Sequence, residues 1–206
     1  MDLSRPARTV IPTLDADVLL VLAGTTTPLT GRQVHRLAAS GSQQGVAKVL
    51  LRLTQTGLVN TTKVGPSRIH VLNRDHVACD AVLALVDLRG RLFERLRDAI
   101  RSWPIQPLAA SVFGSAARGD GDTASDIDLL LVRPAAVDES DPMWSQALFD
   151  LAQSIFSWSG NRASTLQVTT AQMAEMAQRE EPIVNNLRRD EIRLVGPGIF
   201  AAQDST

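Results

Sequence analysis

Apolar residues at the front of the chain recur at helical intervals, separated by short polar breaks. Residues 14 to 23, LDADVLLVLA, have a helix-like pattern that starts at Leu14 or Asp15 and stops before Gly24. After a TTTP break, LTGRQVHRLAA predicts a second helix, with Thr30 as its cap and Val34, Leu37 and Ala38 on one face. The ASGS turn closes it. A third helix is predicted from Ser42 or Gln43 through Val46, Val49, Leu50 and Leu53 to a stop at Gly57. Beyond it, LVNTTKVGPSRIHVLN reads as two strands around a Val64-Gly65-Pro66-Ser67 turn. Leu58 and Val59 supply apolar positions on one arm, and Ile69, Val71 and Leu72 on the other.

From Val77 to Trp103 there is no proline, and Ala78, Val82, Leu85, Leu88, Leu92, Leu96, Ala99 and Trp103 recur at three- or four-residue steps. The spacing predicts one long helix of about 40 Å, with Gly90 marking a bend. Its stripe reads first as a core face and second as a seam for a homodimer. Pro104 and Pro107 end it, and LAASVF at 108–113 is an apolar strand. The polar stretch AARGDGDTAS then leads into DIDLLLV, a second strand. A helix over Pro142–Trp158, a strand in TLQVTT, a helix from Ala171 to about Arg179, a short helix over Pro182–Arg189 and a closing strand in EIRLVG complete the pattern.

Composition adds limits. With 206 residues and 44% apolar content, the chain can build one ordinary domain or two small ones. No apolar run is long enough to span a membrane, and no signal peptide is expected. Cys79 is the single cysteine, which excludes an intrachain disulfide and fits a reducing cytoplasm. The net charge of −1 conceals an asymmetry. Residues 1–76 hold nine Lys and Arg against four Asp and Glu, while the remainder hold twelve against eighteen. A basic front part is compatible with a polyanionic partner. His35, His70 and His76 lack the helical pairing of a metal site. Asn60-Thr61-Thr62 matches a glycosylation acceptor, but without a secretory signal it has no route to modification.

The densest chemistry lies in SVFGSAARGDGDTASDIDLLLV, residues 111–132. Asp126 and Asp128 are two apart, so a strand would project both to one face, where their repulsion calls for a cation. Hard oxygen ligands suit Mg²⁺ or Mn²⁺. Backbone N–H groups at Gly114 and Ser115, together with the Ser115 hydroxyl, can hold phosphate, because no side chain at Gly114 bars its approach. Other phosphate loops fail: Gly114 and Gly119 have GxxxxG spacing, but Asp120 and Gly121 stand where Lys and Ser/Thr are required. There is also no GxSxG elbow around Ser115.

Gly114-Ser115, ten residues, then Asp126-Ile127-Asp128 resembles the signature of the nucleotidyltransferases of the DNA polymerase β superfamily. Arg118 and Gly119 also fit the Gly-Ser-x-Ala-Arg-Gly loop of its minimal bacterial members. The resemblance implies a mixed sheet flanked by helices over 104–198. It assigns phosphate binding to Gly114, Ser115 and Arg118, and metal binding and catalysis to Asp126 and Asp128, with an NTP, most simply ATP, as donor. A macromolecular hydroxyl would be the acceptor, as on a partner toxin in toxin–antitoxin pairs. It further implies a third carboxylate on the next strand, here Thr165-Leu166-Gln167-Val168-Thr169, where the inward position aligns with Gln167. An amide accepts no proton at neutral pH, and losing a general base costs about 10²- to 10⁴-fold in rate. Asp122, Asp138, Glu139 and Glu175 are the acids that could substitute by moving in.

The front part, over 12–74, resembles the winged helix-turn-helix family. That resemblance implies double-stranded DNA as a partner, with Ser42, Gln43, Gln44, Lys48 and Arg52 of the third helix at base edges and phosphates, and Lys63 and Arg68 of the wing on the backbone. The expected architecture is therefore α+β: a winged module at 1–76, a connecting helix at 77–103, a nucleotidyltransferase-like domain at 104–198 and a tail at 199–206. Two functions fit it. One is transfer of a nucleoside monophosphate; the other is DNA-binding regulation, with the back domain reduced to binding nucleotide or dimerising.

Overall fold

The helical spacing at the front of the chain is realised in the computed structural model, which describes residues 1–198. The tail assigned to 199–206 lies outside the described residues. Helix α1 spans Leu14–Ala23, α2 Gly31–Ala38 and α3 Gln43–Gln55. Thr30 caps α2 reciprocally: its hydroxyl accepts from the Gln33 N–H at 3.3 Å, and the Gln33 side chain accepts from the Thr30 N–H at 2.8 Å. Ser42 caps α3 by accepting from the Gly45 N–H at 3.0 Å.

Strands β2 (Val59–Val64) and β3 (Ser67–Leu72) form the expected hairpin. An unexpected two-residue strand, β1 (Leu29–Thr30), adds to the free edge of β3, giving the order β1-β3-β2. Two residues are too few to show a period. Val18, Leu22, Val34, Val46, Leu50, Leu53 and Leu72 share one core. Asp17 is only 3% exposed within α1 and is held bidentately by Arg8, with Arg5 3.8 Å away. Those two cations offset the cost of burying its charge.

By its internal contacts the chain divides into two units, one of Asp2 and Ser4–Arg89, the other of Met1, Leu3 and the residues from Gly90 onward. Where one helix is expected over 77–103 there are two, α4 (Cys79–Val86) and α5 (Leu88–Arg101), interrupted at Asp87. The reason lies in what each half buries. Cys79 and Val82 belong to the core of the first unit, whereas Leu92, Phe93, Leu96 and Ile100 belong to that of the second. One straight stripe serves one core; a break lets each half turn its own stripe inward. Gly90 does not mark the bend and sits inside α5.

In the second unit follow β4 (Ala109–Phe113), α6 (Gly114–Arg118), β5 (Ile127–Val132), α7 (Pro142–Ser159), β6 (Ala163–Val168), α8 (Thr170–Gln178), α9 (Pro182–Asp190) and β7 (Ile192–Val195). The sheet order is β6-β5-β4-β7, with β5 parallel to β6 and β4 antiparallel to both its neighbours. This is the mixed sheet flanked by helices that the sequence implies. Strand β6 begins two residues earlier than TLQVTT, and it ends at Val168 because Thr169 is taken up as the cap of α8.

The unbroken apolar run of β5 is explained by burial on both faces. Ile127, Leu129 and Leu131 pack with Leu96, Ile100, Trp144, Leu151 and Ile155. Leu130 and Val132 pack with Val168, Met173, Val184 and Leu187 on the other side. Leu129 is 0% exposed, so Leu129→Ala should destabilise this unit by about 3 kcal/mol through lost transfer energy and the cavity left behind. Tryptophan fluorescence in urea reads the change, since Trp103, Trp144 and Trp158 all lie in this unit.

Candidate active site

The site forms where β4 ends and β5 begins. Phe113 is the register partner of Asp128, so the turn leaving β4 passes beside that aspartate. Gly114 makes the turn at φ +66°, and a Cβ built there would lie 2.6 Å from Asp128 Oδ2. A side chain there would force the Asp128 carboxylate to move, and the positive φ adds strain for any residue but glycine. Helix α6 follows and ends at Gly119, whose φ is +76°. Gly121 is small for a related reason: a Cβ there would meet Ser115 Oγ at 3.2 Å.

Asp128 is half-buried at the start of β5, and Asp126, two residues earlier, is exposed. Burial is the largest influence on the Asp128 carboxyl and pushes it above its ordinary value; the hydrogen bond from Ser164 lowers it, the Asp126 charge raises it and Arg118 lowers it. Two carboxylates of one strand end, one of them reluctant to ionise, make a hard-oxygen donor set that a divalent cation would relieve. Asp126 and Asp128 are the residues that could hold such an ion, with Gly114 packed directly beside Asp128.

Arg118, expected as a phosphate ligand, is engaged within the protein. Its Nε donates to Asp120 at 2.9 Å and its Nη1 to Asp190 at 2.7 Å. Arg189 and Arg118 together hold the Asp190 carboxyl down at about 2. Asp190, at the end of α9, gave no sequence signal, because nothing local ties it to a loop some seventy residues earlier.

Gln167 does not stand beside the aspartates. In the parallel β5–β6 pair Gln167 lies opposite Leu131, while Ser164 lies opposite Asp128. Strand side chains alternate between faces, so Gln167 shares the face of Leu129 and Leu131. There its Oε1 accepts from Trp144 Nε1 at 2.6 Å. Ser164, Leu166 and Val168 are the β6 residues on the Asp128 face, and none is an acid. Nor do the substitutes move in: Asp122 accepts from Ser125 and Ala124, Asp138 from Ser140, and Glu175 pairs with Arg179, while Glu139 lies between β5 and α7. Among the described residues no group of three or more His, Cys, Asp or Glu gathers as a metal site.

In the first unit, Gln43, Gln44, Lys48, Lys63 and Arg68 are exposed. Ser42 is occupied as a cap, and Arg52 is ion-paired with Asp15. A cleft of about 510 Å³ is lined by Thr30, Gln43, Arg68, His70 and also Arg32, which sequence reasoning missed. A basic residue in the first turn of α2 was its only signal. His70 is buried against Thr61, 2.8 Å from its Nδ1, and burial and then Arg68 lower its pKa.

Residues 93–188, which include every residue from Gly114 to Asp128, match the family model of the nucleotidyltransferase domain. That match covers just under half of the chain. A solved structure described as "Crystal structure of the toxin-antitoxin with AMP-PNP" is similar at 17% identity and a TM-score of 0.37, over 54% of this chain and 82% of that one. No curated protein matches the sequence. Among the described residues no helix is long and apolar enough to cross a membrane.

The raised Asp128 carboxyl makes a pH prediction. Ionising it opposes folding, so its unfavourable contribution is present above the folded pKa and fades as pH falls through the ordinary value of 3.8. Asp128→Asn should therefore raise the thermal midpoint at neutral pH in metal-free buffer. The gain should vanish at about pH 3, and added Mg²⁺ should narrow it by stabilising the wild type alone. Differential scanning fluorimetry across pH reads all three.

Proposed function

We propose that the protein binds a metal-complexed nucleoside triphosphate, most simply Mg-ATP, and transfers its nucleoside monophosphate to a hydroxyl of a macromolecular acceptor. The approach of the Asp128 carboxylate to the Gly114 backbone carries this reading, because it sets a hard-metal donor pair directly against the glycine turn that opens α6. Asp126 and Asp128 would hold Mg²⁺ or Mn²⁺, which supplies charge against the developing phosphate oxyanions. Gly114 and Ser115 offer N–H groups and a hydroxyl to the phosphates, and Arg118 a cation at the end of the same turn. In the transfer the acceptor hydroxyl gives its proton to solvent and its oxygen bonds to the α-phosphorus, the bond from the α-phosphorus to the bridging oxygen breaks, and pyrophosphate leaves with the electron pair. The likeness to minimal nucleotidyltransferases supports a protein acceptor, such as a partner toxin.

The first unit is a winged helix-turn-helix in this reading, supported by the order of α1, β1, α2, α3 and the β2–β3 hairpin. Exposed Gln43, Gln44 and Lys48 on α3 and Lys63 and Arg68 on the hairpin would meet duplex DNA. A second reading is favoured by one observation: β6 turns Ser164 and Leu166, not an acid, toward Asp128. The protein would then be a cytoplasmic DNA-binding regulator, monomeric or paired, whose back unit senses nucleotide without transferring it.

Labelled ATP with Mg²⁺ and cell extract as acceptor source separates the two. On the first reading wild type labels an acceptor, Asp126→Ala loses at least about 10²-fold, and Ser164→Asp increases labelling by placing an acid on the correct face. Gln167→Asp should not, since it points away. Nucleotide binding without label in wild type would move the conclusion to the regulator.

For DNA, gel shifts at several salt concentrations are expected to give binding that weakens with salt. Lys48→Ala and Arg68→Ala should each reduce the salt slope by about 1. Arg52→Ala, already paired with Asp15, should change it least.

A further inference from the structure

Asp126 is a candidate metal ligand that is itself exposed and precedes the first residue of β5, so strand bonding does not fix its carboxylate. The residues flanking it are nevertheless held, and from one source. Asn161 is 1% exposed, and its Nδ2 donates to the Asp122 carbonyl at 3.2 Å and to the Ser125 carbonyl at 2.9 Å. Next to it, the Arg162 carbonyl accepts from the Ile127 N–H at 2.8 Å. The turn between α7 and β6 thus grips the chain at residues 125 and 127, one on each side of Asp126.

That turn is itself fully determined. Gly160 closes α7 at φ +75°, the left-handed conformation that turns the chain back sharply. Ser159 Oγ donates to the Ile155 carbonyl at 2.7 Å and accepts from the Asn161 N–H at 3.1 Å. Asn161 Oδ1 accepts from the Met1 ammonium at 2.7 Å, so the amide orientation is set by an acceptor role on one atom and a double donor role on the other. Asp122 turns back on its own loop, its Oδ1 accepting from the Ala124 N–H at 2.9 Å and the Ser125 hydroxyl at 2.8 Å.

We infer that Asn161 is a positioning residue for the metal-nucleotide site: it fixes the backbone at residues 122 and 125, ahead of Asp126, while the neighbouring Arg162 carbonyl holds Ile127 behind it, so that the Asp126 carboxylate is presented beside Asp128. It touches neither nucleotide nor metal. The inference rests on the nucleotide reading above and adds to it a residue some thirty-five positions away in sequence. Outer partners that orient a ligand commonly alter metal affinity by about 10- to 100-fold when removed.

The test uses the full chain with Asn161→Asp, which keeps the Oδ1 acceptor but removes both donors. Gln167→Leu serves as a control, because it also deletes a partly buried amide bond in this unit but on the opposite face of the sheet. Hydrogen exchange in metal-free buffer should show residues 122–127 exchanging about tenfold faster in Asn161→Asp, with 129–132 unchanged, and no local change in the control. Titration of a fluorescent ATP analogue should then need about tenfold more Mg²⁺ for half-saturation in Asn161→Asp only. Where the buried charge of Asp unfolds the unit, Asn161→Ser removes the same donors without it.

Unchanged exchange at 122–127, or an equal rise in Mg²⁺ requirement in the Gln167→Leu control, would overturn the positioning role. Wild type that binds the analogue with no dependence on Mg²⁺ would instead overturn the nucleotide reading, and the inference with it. The exchange data separate these two failures, since they do not depend on nucleotide at all.

Discussion

The close approach of the Asp128 carboxylate to Gly114 is the constraint around which the second unit is organised. An Oδ2 that would sit 2.6 Å from a Cβ, on a backbone at φ +66°, favours glycine. That glycine lets β4 turn away at once into α6 instead of continuing past its partner strand. The turn places Ser115 and Arg118 over the end of the sheet, and the antiparallel pairing of Phe113 with Asp128 fixes which aspartate they meet. Gly114 and Asp128 are fourteen residues from one another in sequence, yet each explains the other.

The arrangement carries a cost that the rest of the unit offsets. A half-buried carboxylate beside a second acid resists ionisation, and a loop rich in glycine and small residues has few reasons to adopt one shape. Large apolar residues pack both faces of β5 immediately beyond the pair, so the strand that bears them is the most buried in the sheet. The Gly160–Arg162 turn pins the loop from the other side. Stability is thus concentrated next to the place where two like charges remain close.

Much of this was legible in the sequence. The alternation of Asp126 and Asp128 before LLLV, the glycine ending the preceding strand and the helical steps of the first unit each express a local geometric need. What was not legible depended on contacts that no period encodes. Thr165-Leu166-Gln167-Val168 alternates polar and apolar, but both faces of the neighbouring β5 are covered by apolar residues, so alternation alone could not say whether Gln167 or Leu166 shares the face of Asp128. Only the register with Leu131 and the indole of Trp144 decide it. The stripe from Val77 to Trp103 is likewise continuous in sequence and divided in space, since its two halves feed different cores. Arg118 shows the same limit: its motif marks it as a phosphate ligand, while its partner Asp190 is supplied by the far end of α9.

The placement of Gln167 changes what the missing acid means. If an amide had replaced a carboxylate in the site, the domain would bear the mark of a lost catalytic group, with a polar remnant still facing the metal. Instead the amide is part of the structural face, satisfied by Trp144, and the site face of β6 carries a serine within reach of Asp128 and a leucine packed toward α8 and α9. A hydroxyl that donates to Asp128 favours its ionised form, which a metal ligand needs, but cannot take a proton from an acceptor at neutral pH. On the proposed reading, the chemistry retained on this face would be that of holding a metal nucleotide. Any transfer must draw its base from the acceptor itself, from solvent, or from a partner that completes the site.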